Sequence, residues 1–135
     1  MSERRSMRPA GVLGTFLLDA VLVVAFAIIG RGTHEEGLDL AGVWGTAWPF
    51  LVGLVLGWAV ALAWRHPLAV WPTGVVVWAG TFLAGMLLRV ATGQGVALAF
   101  VIVAALTLAL LLIGWRGIAL LMSRRTRVST GVSAS

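Results

Sequence analysis

Asp19 lies inside an apolar run, Val12–Ile29, and is the one ionisable residue in the interior of any long apolar run of this chain. A charge at the centre of a bilayer costs on the order of 2.5–3.5 kcal/mol on insertion scales, so such residues face protein or water and take partners. At about 1.5 Å per residue, Asp19 stands about 10 Å inside the end of its run. The same count along the other apolar runs brings Trp58, Trp78 and Thr107 to nearly the same depth. An indole N–H can only donate, and a threonine hydroxyl can donate too. A polar layer of Asp19, Trp58, Trp78 and Thr107 would therefore satisfy the carboxylate without a counter-ion. Arg65 or Arg116 offers a second solution, reaching inward on an apolar stem. Two chemistries fit such a group: a proton or cation site inside a helix bundle, or an anchor that fixes helix packing through hydrogen bonds. Transport through one carboxylate per copy would need an oligomer to gather several around an axis.

A second polar cluster falls at the other end of the apolar runs. His34, Glu35, Glu36 and Asp39 crowd one loop, and Arg89 and Gln94 flank another. Carboxylates with an imidazole are potential metal ligands, but the stretch lacks the HExxH spacing of a zinc helix and no second His lies on that side. The expectation is no metal, with Glu35 or Glu36 pairing with Arg89 or Arg31 and tying the two loops together. His66, beside Pro67, reads as a loop residue. Gly93-Gln94-Gly95 is no phosphate loop, since no strand precedes it and no lysine follows. Without Cys, thiolate chemistry and disulfides are excluded. The few Ser and Thr residues in the runs have no base beside them, so neither an enzyme nor a cofactor is expected.

The elements that position these residues are set by composition. Of 135 residues, 60% are hydrophobic and 11% charged, against roughly 45–50% and about 25% in soluble domains. No single water-soluble core hides that much apolar surface. Apolar runs near 12–29, 46–64, 72–88 and 96–115 each approach the ~20 residues a spanning helix needs. They lack the alternation of barrel strands, and only helices or closed barrels satisfy the backbone in hydrocarbon. The predicted fold is all-α: a membrane bundle of four transmembrane helices over 12–116, after a basic N-terminus at 1–11 and before a basic tail at 117–135 that is largely disordered beyond about Arg127. Ala25-Phe26-Ala27 resembles a signal cleavage site, but the apolar run continues past it and contains an acid, so a first spanning helix is the expectation. Thr46 reads as the N-cap of the second helix, with Pro49 in its first turn. Gly53, Gly57 and Ala61 recur every four residues, forming the small-residue ridge that lets helices approach closely in lipid, within the bundle or between copies. Thr81 and Gly85 form a smaller pair on the third helix.

Orientation follows from the ten arginines; the chain has no lysine and a net charge of +5. Four spans place both termini on one side. That side holds Arg4, Arg5, Arg8, Arg65, Arg116, Arg124, Arg125 and Arg127, and the other only Arg31 and Arg89. The positive-inside rule puts the richer side, and both termini, in the cytoplasm. Trp44 and Trp48 at one boundary, with Trp64, Trp71 and Trp115 at the other, match the aromatic belts of membrane proteins. Arginines spread between apolar runs do not form the patch that nucleic acid requires. A Trp-Pro pair opens both AWPFLVG and VWPTGVV, a faint echo of the inverted repeats of transporters.

From about Leu17 to Arg116 the chain resembles a family of small four-span membrane proteins known only as a domain of unknown function. The resemblance rests on Asp19, His34-Glu35, Trp48-Pro49-Phe50, Pro72-Thr73-Gly74, Trp78, Gly85-Met86 with Arg89, Gly93-Gln94-Gly95, Phe100 and Gly114-Trp115-Arg116. It implies fold and membrane location and no activity. The expected function is a small integral protein of the cytoplasmic membrane acting through helix contacts, with itself or a larger membrane partner, along the Gly53/Gly57/Ala61 ridge. The alternative is an oligomeric transporter or channel for protons or a small solute, centred on Asp19.

Overall fold

The computed structural model describes the backbone of residues 8–32 and 39–134, and side chains of 8–30 and 39–125. Its elements are α1 (Pro9–Gly32), α2 (Leu40–Ala61), α3 (Val75–Ala91), α4 (Leu98–Leu108) and α5 (Gly114–Ala134). A bent turn, Val70–Gly74, in which Trp71 is extended (φ −124°, ψ 132°), leads into α3, and a π-helical turn, Ala109–Ile113, joins α4 to α5. Among the described residues there is no strand. Four stretches are long and apolar enough to cross a membrane: Pro9–Gly30, Leu40–Ala61, Val70–Ala91 and Leu98–Arg125.

Local chemistry explains where the helices begin and end. The Arg8 carbonyl accepts from Gly11 and Val12, and Pro9 takes the first helical position, where a missing N–H costs nothing. Helix α2 begins earlier than the predicted Thr46 start. Asp39 caps it in an extended conformation, its carboxylate accepting from the Gly42 N–H at 3.1 Å. Pro49 therefore lies well inside α2 rather than in its first turn. Glycines at 42 and 45 blur this boundary in the sequence, since they weaken a helix without forbidding one. At the far end, Leu62 adopts a left-handed conformation (φ 52°, ψ 48°) and the Ala63 N–H returns to the Trp58 carbonyl. That is a Schellman closure, and it ends α2 at Ala61, short of the predicted Trp64. It also turns Ala63 fully inward.

Helix α5 runs to Ala134, past Arg127, where composition predicts disorder. A spanning helix already supplies the nucleus, so each further residue only has to propagate it, and no proline interrupts the tail.

Helices α2 and α3 run antiparallel in close contact. A Cβ on Gly80 would stand 2.6 Å from the Gly57 Cα, and one on Gly53 would stand 2.7 Å from the Thr81 carbonyl oxygen. The ridge predicted from Gly53, Gly57 and Ala61 is thus occupied within the chain, and Ala61 packs against the same core. Gly85 makes room for the Phe50 ring, which would lie 2.3 Å from a Cβ there. Phe50 in turn meets Phe26 edge-on at 5.1 Å, and Phe100 closes the cluster. With Val23, Leu54, Val77, Leu108 and Leu112 these residues form the bundle core.

Candidate functional site

Asp19 is fully buried. It belongs to a four-residue row on α1 with Thr15, Val23 and Ala27, all buried, as i, i+4 spacing dictates. Both of its oxygens are doubly engaged. Oδ2 accepts from the Trp58 indole at 2.8 Å and from Arg116 Nη2 at 2.7 Å. Oδ1 accepts from the Trp115 indole at 2.8 Å and from Arg116 Nη1 at 3.0 Å. The guanidinium is also fully buried, so this is a bidentate ion pair sealed within the bundle. Arg116 makes two further bonds to the chain itself: Nε donates to the Pro67 carbonyl at 2.8 Å and Nη1 to the Leu112 carbonyl at 2.9 Å. Its stem crosses Gly74, where a Cβ would stand 3.1 Å from the Arg116 Cδ. One side chain thereby joins α1, the α2–α3 connection, the entry to α3 and its own helix.

The π-helical turn positions this residue. Ala104, Leu108, Leu112 and Arg116 recur every four residues and all are fully buried. In a regular α-helix each step of four overshoots a full turn by about 40°, so three steps would carry Arg116 about 120° from Ala104. The wider turn at Ala109–Ile113 takes back part of that drift and keeps the row on the inner face.

The structure brings together two of the four residues of the predicted polar layer. Asp19 and Trp58 meet as expected. Trp78 instead donates to the Ala105 carbonyl at 3.0 Å, pinning α3 to α4, and Thr107 gives no hydrogen bond to Asp19. Their places are taken by Trp115 and Arg116. A depth count fixes height along the membrane normal but not azimuth, and azimuth decides contact. Arg116 was visible only as one of two cations that could reach inward; the apolar stretch that resumes at Ile118–Met122 is the signal that it lies within a helix face rather than beyond one.

At the opposite end of the bundle, Arg89 donates to Gln94 Oε1 at 2.9 Å and to the Gly95 carbonyl at 2.8 Å, with its guanidinium 4.4 Å over the Phe100 ring. It thus closes the α3–α4 loop. His34, Glu35 and Glu36, predicted to join this cluster, lie outside the described residues. Among the described residues no group of three or more His, Asp or Glu could hold a metal.

Chemically, the Asp19 site is closed. A carboxylate has about four lone-pair positions, and all four are used. Nothing remains to accept an exchanging proton or a passing cation unless an existing bond breaks. Removing one partner of a buried charge pair of this kind leaves an uncompensated charge and destabilises strongly.

Neither the curated proteins nor the solved structures contain a match to this chain. The model of a family described as protein of unknown function (DUF3054) matches residues 16–119, most of the four-span bundle and both charged members of the buried ion pair, and the chain belongs to that family.

Proposed function

We propose that the chain is a non-enzymatic multi-pass protein of the cytoplasmic membrane, with both termini in the cytoplasm, that works through helix contacts with itself or a larger membrane partner. The observation that carries this reading is the saturated carboxylate: Asp19 accepts four hydrogen bonds from Trp58, Trp115 and Arg116, which supports a strut over a pathway. The orientation rests on arginine counts. With Arg116 withdrawn into the bundle, Arg4, Arg5, Arg8, Arg65, Arg124, Arg125 and Arg127 still outnumber Arg31 and Arg89, which favours a cytoplasmic terminal side.

The Gly53/Gly57/Ala61 ridge cannot be the contact face, because α3 already covers it. The fourth span is the better place. Only 17% of its apolar window is buried, against 28–39% for the other three, and Leu98, Ile102, Leu106 and Leu110 point outward. The chain has no Cys, so single cysteines at Leu106 or Leu110 report neighbours directly. In native membranes they are expected to form crosslinks that a cysteine at Leu17 of α1 does not. Loss of that difference would remove the fourth span as the contact face.

The alternative, a proton or small-solute pathway at Asp19, is tested by flux into proteoliposomes. No flux above that of empty vesicles is expected. Flux that disappears in Asp19→Asn/Arg116→Gln would establish the alternative.

A further inference from the structure

Beside the buried ion pair an apolar groove opens on the surface of the bundle. Pro9, Val12, Leu13 and Phe16 of the first turns of α1 form one wall, Trp64 the other, and Trp58 the floor. Its volume is about 510 Å³, within the roughly 300–1,000 Å³ of small-molecule sites. The lining is almost wholly apolar, so the part of an occupant inside it is hydrocarbon.

The floor is rigid. Trp58 is held by its hydrogen bond to Asp19 at 2.8 Å and by the Phe16 ring packed edge-on at 5.2 Å. A groove held open in this way needs no reorganisation to receive a ligand, which removes a cost that binding otherwise carries.

Two cations adjoin this lining along the chain. Arg8 precedes the wall residue Pro9, Arg65 follows the wall residue Trp64, and both arginines are exposed. The first turn of α1 carries no acidic residue to neutralise them. An apolar slot whose lining residues Pro9 and Trp64 each adjoin an exposed arginine in the chain matches one kind of molecule that a spanning bundle always meets: a phospholipid with an anionic headgroup. We infer that this groove holds one acyl chain of an anionic phospholipid whose phosphate lies between Arg8 and Arg65. The inference goes beyond the proposed helix contacts and does not depend on them.

Native mass spectrometry of the delipidated full-length chain tests it, with equimolar palmitoyl-oleoyl phosphatidylglycerol and phosphatidylcholine as probes. One phosphatidylglycerol is expected to be retained at least tenfold in preference, since each arginine near an anionic lipid is worth roughly fivefold in affinity. Arg8→Gln/Arg65→Gln should bring the preference below threefold. Leu13→Trp, which fills the groove, should lower retention of both lipids while leaving thermal unfolding of the bundle unchanged. Equal retention of the two lipids by the native chain would overturn the inference, as would a preference that survives Arg8→Gln/Arg65→Gln. Displacement of the lipid by inorganic phosphate alone would also overturn it, because the acyl chain would then contribute nothing.

Discussion

Gly57 and Trp58 are neighbours in α2 that serve two unlike regions. Gly57 faces α3, where its backbone lies against Val77 and Gly80. Trp58 faces α1, where it donates to Asp19. The α2–α3 seam works by the absence of side chains, so that many small attractions add up along two backbones. The ion pair concentrates its effect in two residues and two indoles. Between helices in lipid there is no hydrophobic driving force, and association rests on packing and on interhelical hydrogen bonds. This bundle uses one device on each side of the same helix. The difference teaches where it is fragile: the ion pair fails when either charge goes alone, whereas the seam fails when anything is added.

The largest effect should come from breaking the pair by halves. Arg116→Ala leaves a buried carboxylate without its counter-charge, which costs about 3–5 kcal/mol in such sites. Unfolding of the detergent-solubilised chain in an SDS titration measures it. Asp19→Asn should be comparably harmful, because it strands Arg116. Asp19→Asn/Arg116→Gln should regain more than half of the loss; a double variant as unstable as the sum of the singles would show that the two do not act as a pair.

The seam should respond next and without any such rescue. Gly80→Ala places a methyl 2.6 Å from the Gly57 backbone, and overpacking of this kind costs about 1–3 kcal/mol. Gly117→Ala, where nothing lies within 4 Å, is the matched control and should be neutral in the same titration. Equal behaviour of the two would mean that close approach does not hold α2 to α3.

Smaller effects grade the hydrogen bonds. Trp58→Phe keeps an aromatic ring, though a smaller one, and removes a donor to a charged group, for which about 1.5–3 kcal/mol is typical. Trp78→Phe removes a donor to the neutral Ala105 carbonyl, worth about 0.5–1.5 kcal/mol. If Trp78→Phe proved the costlier, the charge on Asp19 would not be what strengthens its bonds.

Much of this was legible before any coordinates. Asp19 identified itself as a residue needing partners, Trp58 as one of them, and Gly53 and Gly57 as a surface for close approach. What stayed hidden has particular causes. Gly80 sits one residue before Thr81, so the third helix advertised the pair Thr81 and Gly85 while the closest approach of two backbones, Gly80 on Gly57, belonged to neither. Asp39 looked like a member of an acidic loop because a capping carboxylate and a loop carboxylate are the same residue until the backbone beyond it turns helical. Arg116, in a chain whose arginines mark helix ends, read first as a boundary charge.

By itself the sequence determined the number and class of the elements, because the length and apolarity of each run leave helices as the only way to satisfy a backbone in lipid. It also pointed to one carboxylate in need of donors, while leaving open whether that group faces the bundle or the lipid. Only the tertiary structure decided which donors. Asp19 and Arg116 are separated by nearly the whole bundle in sequence, and their meeting depends on a π-helical turn that sets the azimuth of Arg116 and on a connection whose Pro67 carbonyl receives its Nε–H. Depth is a local property that counting residues recovers, whereas facing is a property of the packed bundle.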